Sequence, residues 1–377
     1  MITLSTALLS LGCVAVLAAA SAGAQTNDSQ YQRLIDKAVA AGTPGLQAYV
    51  RTDEAVWTGV AGVVSVEKGT PMSLSQRLRL ASLTKMMTSA VTLELVRLRR
   101  FQLSDRAVGL LPAGTLDGIP HAEEITVTHL LDHTSGLHNF NGNDGQDFVA
   151  DLYSDPRRAT RVWTNAELLA YAKKPAHQPT GRPGEKMSYS STGYIVLEMI
   201  LEHREGKPYP QLFREHLFAP LNMKTAGVEG IDLRGTDIAD SYSRPEGADR
   251  KPPSPFAGRK NIRPDGLVNL SAGLDHYNAW ARAAGAVAAS ADDLGRFMSA
   301  VEAGRVAVMT NQQAQFAAAR LKPGALFDWN GGSRGIQTTI LFEPGRDITV
   351  IVLTNASNAG TSSHDIAKQL LAAARGA

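Results

Sequence analysis

Cysteine is almost absent from this chain of 377 residues, since Cys13 is the only one. A single thiol cannot form an intramolecular disulfide framework. The chain also lacks an excess of either charge, because 38 Lys and Arg residues and 36 Asp and Glu residues leave a net charge of +2. This balance on a long chain argues against nucleic acid or an acidic surface as an obligate partner.

Charge is missing from the N-terminus, where no charged side chain precedes Asp28. The stretch is apolar and rich in small residues, and the sequence AGA at 22–24 offers a small-x-small cleavage site. The apolar run is near the lower length limit for spanning a bilayer, so the pattern favours cleavage over retention as an anchor. We predict a signal peptide over 1–24 and an exported protein, periplasmic or secreted. Its mature part, 25–377, has no cysteine, so it has no thiolate chemistry, and we expect no stable membrane span in it.

Strand patterns stand at both ends of the chain. Residues 45–63 partly alternate apolar and polar side chains around a short turn, and residues 335–355 form two apolar runs joined by EPGRD, which predicts a hairpin. Between them helical periodicity dominates. We predict a single domain of the α/β class, more narrowly an α+β sandwich. Its antiparallel sheet is built from about 30–100 and 283–377 and flanked by helices, and a mostly helical region is inserted at about 101–282.

Two further segments give local signals. Ser290 stands three residues before Asp293 in a capping-box-like pair, which predicts a helix that begins near 290. The segment 243–266 is rich in Pro, Gly, Arg and Lys and has no periodicity, which predicts a long loop. Its six basic residues stand with one aromatic residue, which indicates a solvated loop rather than a nucleic-acid patch.

The sequence RLASLTKMM at 79–87 places Ser82 and Lys85 three positions apart at the start of a predicted helix. Residues with this spacing share a helical face, so Oγ and Nζ can come within hydrogen-bond reach. Serine needs a base, and lysine can serve as one when burial or a neighbouring cation lowers its pKa. The first turn of a helix also offers free N–H groups to a developing oxyanion. The same four residues can equally be an ordinary helix N-cap followed by a solvated lysine.

Two more segments favour catalysis. In PGEKMSYSSTGY at 183–194, Tyr189 stands between a Pro-Gly turn and a predicted helix. Near a cationic Lys85 its phenolate is favoured, so it can pass a proton between Ser82 and a leaving group. In WNGGSRG at 329–335, consecutive glycines before a strand let a ligand approach the backbone, and an unpaired N–H there can donate to an oxyanion.

Five blocks stand in a characteristic order: RLASLTKMMTSAVTLELV, ITVTHLLDHTSGL, PGEKMSYSSTGYIVLEMI, AAGAVAASADDLGRFM and NGGSRGIQTTILFEPGRDITVIVLTN. With them the chain resembles, over about 30–375, the class C β-lactamase and D-alanyl-D-alanine carboxypeptidase superfamily of serine hydrolases, which includes the family VIII carboxylesterases. The resemblance implies the β-lactamase/transpeptidase-like fold. It implies that Ser82 is acylated and that Lys85 and Tyr189 share the general-base and general-acid work. It also implies an oxyanion hole from the backbone N–H groups of Ser82 and Gly332, and we expect neither a cofactor nor a metal.

Two positions depart from the superfamily's motifs. The Tyr-x-Asn motif reads YSS at 189–191, so Ser191 replaces the amide that usually binds a substrate's amide group. The Lys/His-x-Gly motif reads WNG at 329–331, so Trp329 stands where β-lactamases and peptidases bind a substrate carboxylate with a cation. Loss of such a contact removes about 1.5–3 kcal/mol of binding. The resemblance to family VIII esterases predicts uncharged small-molecule esters as substrates, bound by Ser191, Trp329 and Gly331. Turnover of β-lactams or short peptides, as by a β-lactamase or a D-alanyl-D-alanine carboxypeptidase, is the alternative.

Two other functions compete with this interpretation. In THLLDHTSGLH, His129 and His133 are spaced by four on a predicted helix, with Asp132 and His138 nearby, which is a zinc-protease geometry. The glutamate expected between the two histidines is absent, so we disfavour a metal site. A non-catalytic ligand-binding or sensor protein with the same fold is the alternative from another class. The intact serine, lysine and tyrosine favour an enzyme, while the oligomeric state and the choice between hydrolysis and acyl transfer stay open.

Overall fold

The computed structural model of the protein describes residues 27–142, 146–174, 177–244, 263, 265–308, 322 and 324–376. The predicted signal peptide at 1–24 and most of the predicted loop at 243–266 lie outside the described residues, so both stay predictions. Within the described ranges, no helix combines the length and the apolar character that crossing a membrane requires.

A six-stranded antiparallel sheet forms the centre of the fold. In spatial order its strands are β3 (Thr70–Pro71), β2 (Val56–Ser65), β1 (Gly45–Arg51), β11 (Ile348–Thr354), β10 (Ile336–Glu343) and β9 (Phe327–Ser333). N-terminal and C-terminal strands lie side by side, because β1 pairs with β11 in a register that sets Leu46 opposite Thr354. The predicted hairpin is β10 and β11, with Glu343 opposite Ile348. The sheet predicted from the two chain ends is therefore confirmed.

The helices of the described residues are α1 (27–40), α2 (Thr84–Arg97), α3 (Val127–Leu131), α4 (Gln146–Ser154), α5 (Pro156–Ala159), α6 (Asn165–Ala172), α7 (Ser191–Glu205), α8 (Tyr209–Phe213), α9 (Ala291–Glu302) and α10 (Ser363–Ala374). A π-helical turn, Arg214–Phe218, follows α8 directly. The helices α3 to α8 belong to the predicted helical region in the middle of the chain.

Helices cover both faces of the sheet. On one face Ile35 of α1 and Leu370 of α10 pack with Val350 of β11. On the other face Phe297 of α9 packs in the large cluster that contains Ile351 of the same strand. Since successive strand side chains point to opposite faces, this arrangement buries every residue of β11. The mixed fold with helices on both sides of an antiparallel sheet is as predicted.

The start of α9 confirms the predicted cap. Ser290 Oγ accepts the backbone N–H of Asp293 at 3.3 Å, which satisfies one of the free donors of the first turn. The Asp293 carboxylate does not complete a capping box. It accepts the N–H and the hydroxyl of Thr225 instead, at 2.7 and 2.5 Å. The cap thereby also ties α9 to the segment before β5 (Gly227–Val228).

Short strands form two small three-stranded sheets. The first consists of β4 (Leu78–Arg79), β8 (Val287–Ala289) and β5, and the second of β12 (Ala356–Ser357), β6 (Tyr242–Ser243) and β7 (Val268–Asn269). Three of these strands, β5, β6 and β7, lie inside the segment 101–282, where the sequence showed mainly helical periodicity. Strands of two residues are too short to show a period of two.

A buried ion pair holds β4 in place. Arg79 Nε and Nη2 donate to the two carboxylate oxygens of Glu229 at 2.8 Å each, and Nη1 donates to the Ala239 carbonyl at 2.7 Å. Both side chains are almost fully buried. A guanidinium and a carboxylate in this two-pronged arrangement fix each other's orientation. The chain leaves β4 at this anchored point and enters the turn that contains Ser82.

Candidate active site

Ser82 lies in a single 3-10 turn, Ala81–Leu83, directly before α2. Ala81 has a φ of +46°, in the left-handed region that residues with side chains rarely adopt. Packing holds this strained conformation, because Ala81 is buried in an apolar cluster with Leu270 and Ile336. The turn therefore presents a half-buried Ser82 at the N-terminal end of a helix, where N–H groups have no partner within the helix.

Three side chains meet at this turn. The Tyr189 hydroxyl lies 2.7 Å from Ser82 Oγ, and Lys85 Nζ lies 3.4 Å from the same oxygen. Lys85 is only 2% exposed, and its amine donates a hydrogen bond to the Ala284 carbonyl at 2.8 Å. Tyr189 is 45% exposed, and its ring centroid lies 4.8 Å from Lys85 Nζ. The arrangement has a hydroxyl that opens to solvent, a phenol in contact with it and an amine in the interior behind both.

His133 supports the ring of Tyr189. The imidazole and the phenol ring lie against each other with centroids 4.4 Å apart, and His133 Nδ1 accepts the Ser190 N–H at 3.1 Å. Burial chiefly, and the positive charge of Lys85 in addition, lower the pKa of His133 from 6.5 to about 3. A neutral imidazole is the form that can accept this N–H. No local pattern in the sequence indicates this contact, because 57 residues separate His133 from Ser190.

The two histidines considered as metal ligands do not share a helical face. α3 ends at Leu131, and His133 beyond it has a φ of +56°, so the predicted helix is too short to carry both. His129 instead completes a capping box, in which its Nδ1 accepts the Thr126 N–H while Thr126 Oγ1 accepts the His129 N–H, both at 3.3 Å. One imidazole caps a helix, and the other supports a tyrosine.

The edge strand β9 runs beside the Ser82 turn. A Cβ on Gly331 would lie 2.5 Å from the Leu80 carbonyl oxygen and would overlap Thr338 Oγ1, so only glycine allows this close approach. Because β9 is an edge strand, alternate N–H groups along it are not used in pairing with β10. At Gly332, no heavy atom of the described residues lies within 4 Å of the position that a Cβ would take. Gly332 thus stays the predicted partner of Ser82 in an oxyanion hole.

Ser191 is the buried first residue of α7. Its backbone N–H donates to Asn139 Oδ1 at 2.9 Å. The helix start therefore receives an amide oxygen from another segment of the chain. A role of Ser191 in binding a substrate stays a prediction.

Trp329 lies on the same strand face as Gly331, because strand residues two positions apart point the same way. It is 9% exposed and packs against Phe327, with ring centroids 5.5 Å apart. Asn330 points to the opposite face, where its Oδ1 accepts the Thr339 hydroxyl at 2.8 Å. The motif therefore directs an indole, and no cation, to the side of the sheet that carries Ser82.

The lowered pKa of His133 has a measurable effect on stability. In the unfolded chain this imidazole takes up a proton near pH 6.5, whereas in the folded chain it stays neutral down to about pH 3. Its contribution is therefore fully present above pH 6.5 and is lost as the pH falls below that value, at about 1.4 kcal/mol per pH unit. For His133→Asn, which suits a positive φ and cannot titrate, we expect the free energy of unfolding to fall less steeply between pH 6 and 4.

Urea unfolding at pH 7, 6, 5 and 4 measures this slope. His203→Asn is the matched control, because His203 is exposed on the last turn of α7. Its slope is expected to equal that of the unsubstituted protein. Equal slopes for all three proteins would show that His133 is protonated in the folded state.

The chain is similar to a known protein family over nearly its whole length. The profile of the family described as Beta-lactamase matches residues 31–375. D-alanyl-D-alanine-carboxypeptidase/endopeptidase AmpH from Escherichia coli (strain K12) is 32% identical over 151 residues, which are 40% of this chain and 36% of AmpH. The chain thus matches about a third of the length of this curated relative.

Solved structures share the fold over nearly the whole chain. The D-amino acid amidase from Ochrobactrum anthropi SV3, complexed with D-phenylalanine, has a TM-score of 0.75 at 22% identity, covering 93% of this chain and 99% of the amidase. EstCE1, described as a hydrolase with promiscuous acyltransferase activity, has a TM-score of 0.67 at 19% identity, covering 93% of this chain and 98% of EstCE1. At these identities the likeness establishes the fold.

Proposed function

Because this chain belongs to the Beta-lactamase family, we propose that it is a serine hydrolase that forms an acyl-enzyme on Ser82 and acts on uncharged esters. One observation carries the proposal: Ser82 Oγ lies 2.7 Å from the Tyr189 hydroxyl and 3.4 Å from the buried amine of Lys85. A nucleophile in contact with both a phenol and an amine can lose its proton as it attacks.

In the proposed acylation, Ser82 Oγ attacks the carbonyl carbon of the ester, and its proton passes to the pair Tyr189 and Lys85. The N–H groups of Ser82 and Gly332 donate to the oxygen that becomes negative. Collapse of the intermediate breaks the bond to the alcohol, which leaves with a proton returned by the same pair. Water or a second alcohol then attacks the acyl-enzyme, with proton transfers in the same directions, and releases Ser82.

The preference for uncharged esters rests on the residues beside the nucleophile. Trp329 offers a buried indole where β-lactamases and peptidases of the superfamily present a cation, so a substrate carboxylate would lose its solvation without gaining an ion pair. Ser191 at the start of α7 offers a hydroxyl in place of a longer amide. An ester with an apolar acyl group requires neither an ion pair with a cation nor a hydrogen bond with a side-chain amide.

Hydrolysis of an amide or a lactam is the second candidate. It is supported by AmpH, which matches 40% of this chain and is named a D-alanyl-D-alanine-carboxypeptidase/endopeptidase. A sensor without turnover is disfavoured, because such a protein has no need of Ser82, Lys85 and Tyr189 in mutual contact. Export, to the periplasm or to the outside of the cell, is part of the proposal and is supported by the leader-like sequence at 1–24.

The test of the function is a burst experiment. Mixing the protein with a short-chain p-nitrophenyl ester should release a burst of one p-nitrophenol per chain, followed by slower turnover. Quenching with acid and mapping the peptides by mass should locate the acyl group on Ser82. Acyl label on another residue, or no covalent adduct with any substrate class, would refute the proposal.

A substrate panel separates the two candidates. Short-chain esters, β-lactams, D-alanyl-D-alanine peptides and D-amino acid amides are compared by kcat/KM at equal pH. We expect kcat/KM for the esters to exceed that for the other classes by more than about 10-fold. A factor of 10 corresponds to about 1.4 kcal/mol in activation free energy. A higher value for a carboxylate-bearing peptide or lactam would select the second candidate.

Trp329→Lys tests the basis of this preference. Lysine restores a cation at the position where relatives bind a carboxylate, so kcat/KM for a carboxylate-bearing ester should rise relative to its neutral analogue by about 10-fold or more. Trp329→Met is the control, because it removes the same packing against Phe327 without adding charge. An unchanged ratio in a folded Trp329→Lys variant would mean that this side chain does not face the substrate.

A further inference from the structure

We propose that Glu198 and Arg282 form a clamp that positions Lys85 through the Ala284 carbonyl. The proposal rests on the proposed function, in which Lys85 assists the removal of the proton from Ser82. Glu198 and Arg282 are thereby assigned as positioning residues, and this pair is called the Glu198–Arg282 clamp below.

The carboxylate of Glu198 lies in the protein interior with 0% exposure, on the helix α7 that follows Tyr189. It accepts hydrogen bonds from Arg282 Nε at 2.8 Å, from Arg282 Nη2, from the Ala283 N–H at 2.9 Å and from Asn165 Nδ2 at 2.9 Å. A carboxylate buried this completely is tolerated only with such a full set of partners. Four donors from two other segments thus converge on one side chain.

The clamp holds a backbone conformation that the chain would otherwise avoid. Arg282 has φ of +44° and ψ of −137°, a combination that favours glycine, in the 3-10 segment Ala279–Ala284. Its guanidinium is fixed at both ends, since Nη1 also donates to the Trp163 carbonyl at 3.0 Å. Such strain persists only where surrounding contacts determine the geometry. Here Glu198 supplies these contacts. Its carboxylate accepts hydrogen bonds from the side chain of Arg282 and from the backbone N–H of the residue that follows.

The strained turn presents two consecutive carbonyl groups to α2. The Ala283 carbonyl accepts the Thr88 hydroxyl at 2.6 Å, and the Ala284 carbonyl accepts Lys85 Nζ at 2.8 Å. This hydrogen bond fixes the direction of one N–H bond of the Lys85 amine. The other bonding directions of the nitrogen are then also fixed relative to Ser82. A rotation of the turn would move the acceptor and release the amine from Ser82 Oγ.

A second buried pair provides the comparison for a purely structural role. Glu302 at the end of α9 is buried, pairs with Arg51 of β1 and accepts the Thr349 hydroxyl at 2.6 Å. Burial raises the pKa of Glu302 and of Glu198 alike. The contacts described for Glu302 do not involve the Ser82 turn or the carbonyl groups that face α2. Substitution at Glu302 therefore removes a similar interaction without reaching Lys85.

The experiment measures the acylation rate constant from the p-nitrophenol burst in three variants. Glu198→Gln keeps the side-chain volume but sets an NH2 group against a donor, because both carboxylate oxygens of Glu198 accept hydrogen bonds. Arg282→Gly removes the guanidinium and tolerates the unusual backbone conformation, so the fold should be kept while no side-chain contact fixes the turn any longer. We expect both to lower acylation by about 10- to 100-fold with less than about a threefold change in KM, as for a small misplacement of a reacting group. Glu302→Gln, the control, should acylate at the rate of the unsubstituted protein.

A double-mutant cycle with Lys85→Met decides whether the clamp acts through the amine. If it does, Glu198→Gln lowers acylation in the presence of Lys85 and has no further effect once Lys85 is replaced. The inference would be overturned if the effects of Glu198→Gln and Lys85→Met on the acylation rate multiplied. It would also be overturned if folded Glu198→Gln and Arg282→Gly acylated at the rate of the unsubstituted protein. Absence of any acylation of Ser82 in the unsubstituted protein would instead refute the proposed function, so the two failures are distinguishable.

Discussion

Ser82→Ala is expected to lower kcat/KM for a short-chain ester by about 10³- to 10⁶-fold and to abolish the burst, because no other nucleophile replaces Oγ. The residual rate is what substrate binding and the oxyanion hole still provide. The substitution removes one oxygen from a half-buried turn whose strain lies at Ala81, so the free energy of unfolding should change little. Stopped-flow absorbance for the burst, with steady-state kinetics, measures the loss.

Ser190→Ala is the matched control for this experiment. Ser190 is buried next to Tyr189, and its hydroxyl has no hydrogen-bond partner within the part of the chain that the structure describes. The same substitution in the same neighbourhood should leave the burst and kcat/KM near their original values. Equal activity in Ser82→Ala and in the unsubstituted protein, with esters, β-lactams and D-alanyl peptides alike, would mean that the fold serves another function.

Lys85→Met is expected to lower the acylation rate by about 10²- to 10⁴-fold, which is the range for loss of a general acid–base group. Methionine can fill the space of the aliphatic part of the Lys85 side chain, which is 2% exposed, so the core should stay packed. The amine makes two contacts that methionine cannot replace, one at 3.4 Å to Ser82 Oγ and one at 2.8 Å to the Ala284 carbonyl. The burst phase measures acylation directly, separate from the later release of the acyl group.

Lys173→Met serves as the control for Lys85→Met. Lys173 is partly buried and also donates to a backbone carbonyl, that of Thr115 at 2.7 Å, but it lies at the end of α6. Its replacement should leave acylation unchanged. Lys85→Arg separates two roles of the amine, since a guanidinium keeps the positive charge but does not accept a proton. Substantial acylation by Lys85→Arg would mean that the charge alone is needed, and Lys85 would then not be the base.

Structural features that depend on residues close together in the chain could be predicted from the sequence, and those that depend on distant residues could not. The hairpin β10–β11 and the cap at Ser290 depend on neighbouring residues, and both were predicted correctly. The strands β5, β6 and β7 were missed, because two residues show no period and their pairing partners lie far along the chain. The pair His129 and His133 was expected on one helical face, but the helix ends between them.

By itself, the sequence determined what spacing within one element decides: Ser82 and Lys85 stand three residues apart, so a helix start brings their side chains together. Together with the resemblance to the serine hydrolase superfamily, the sequence also indicated Tyr189 as the third residue of the predicted catalytic group. The tertiary structure alone decided which groups surround them, because these contacts join segments that are distant in the chain. Ala284, whose carbonyl accepts the hydrogen bond from Lys85, is 199 residues away from it in the sequence. Arg282, which donates to Glu198, is 84 residues away from it. No local pattern encodes such contacts, since they form only when the sheet and the helices pack.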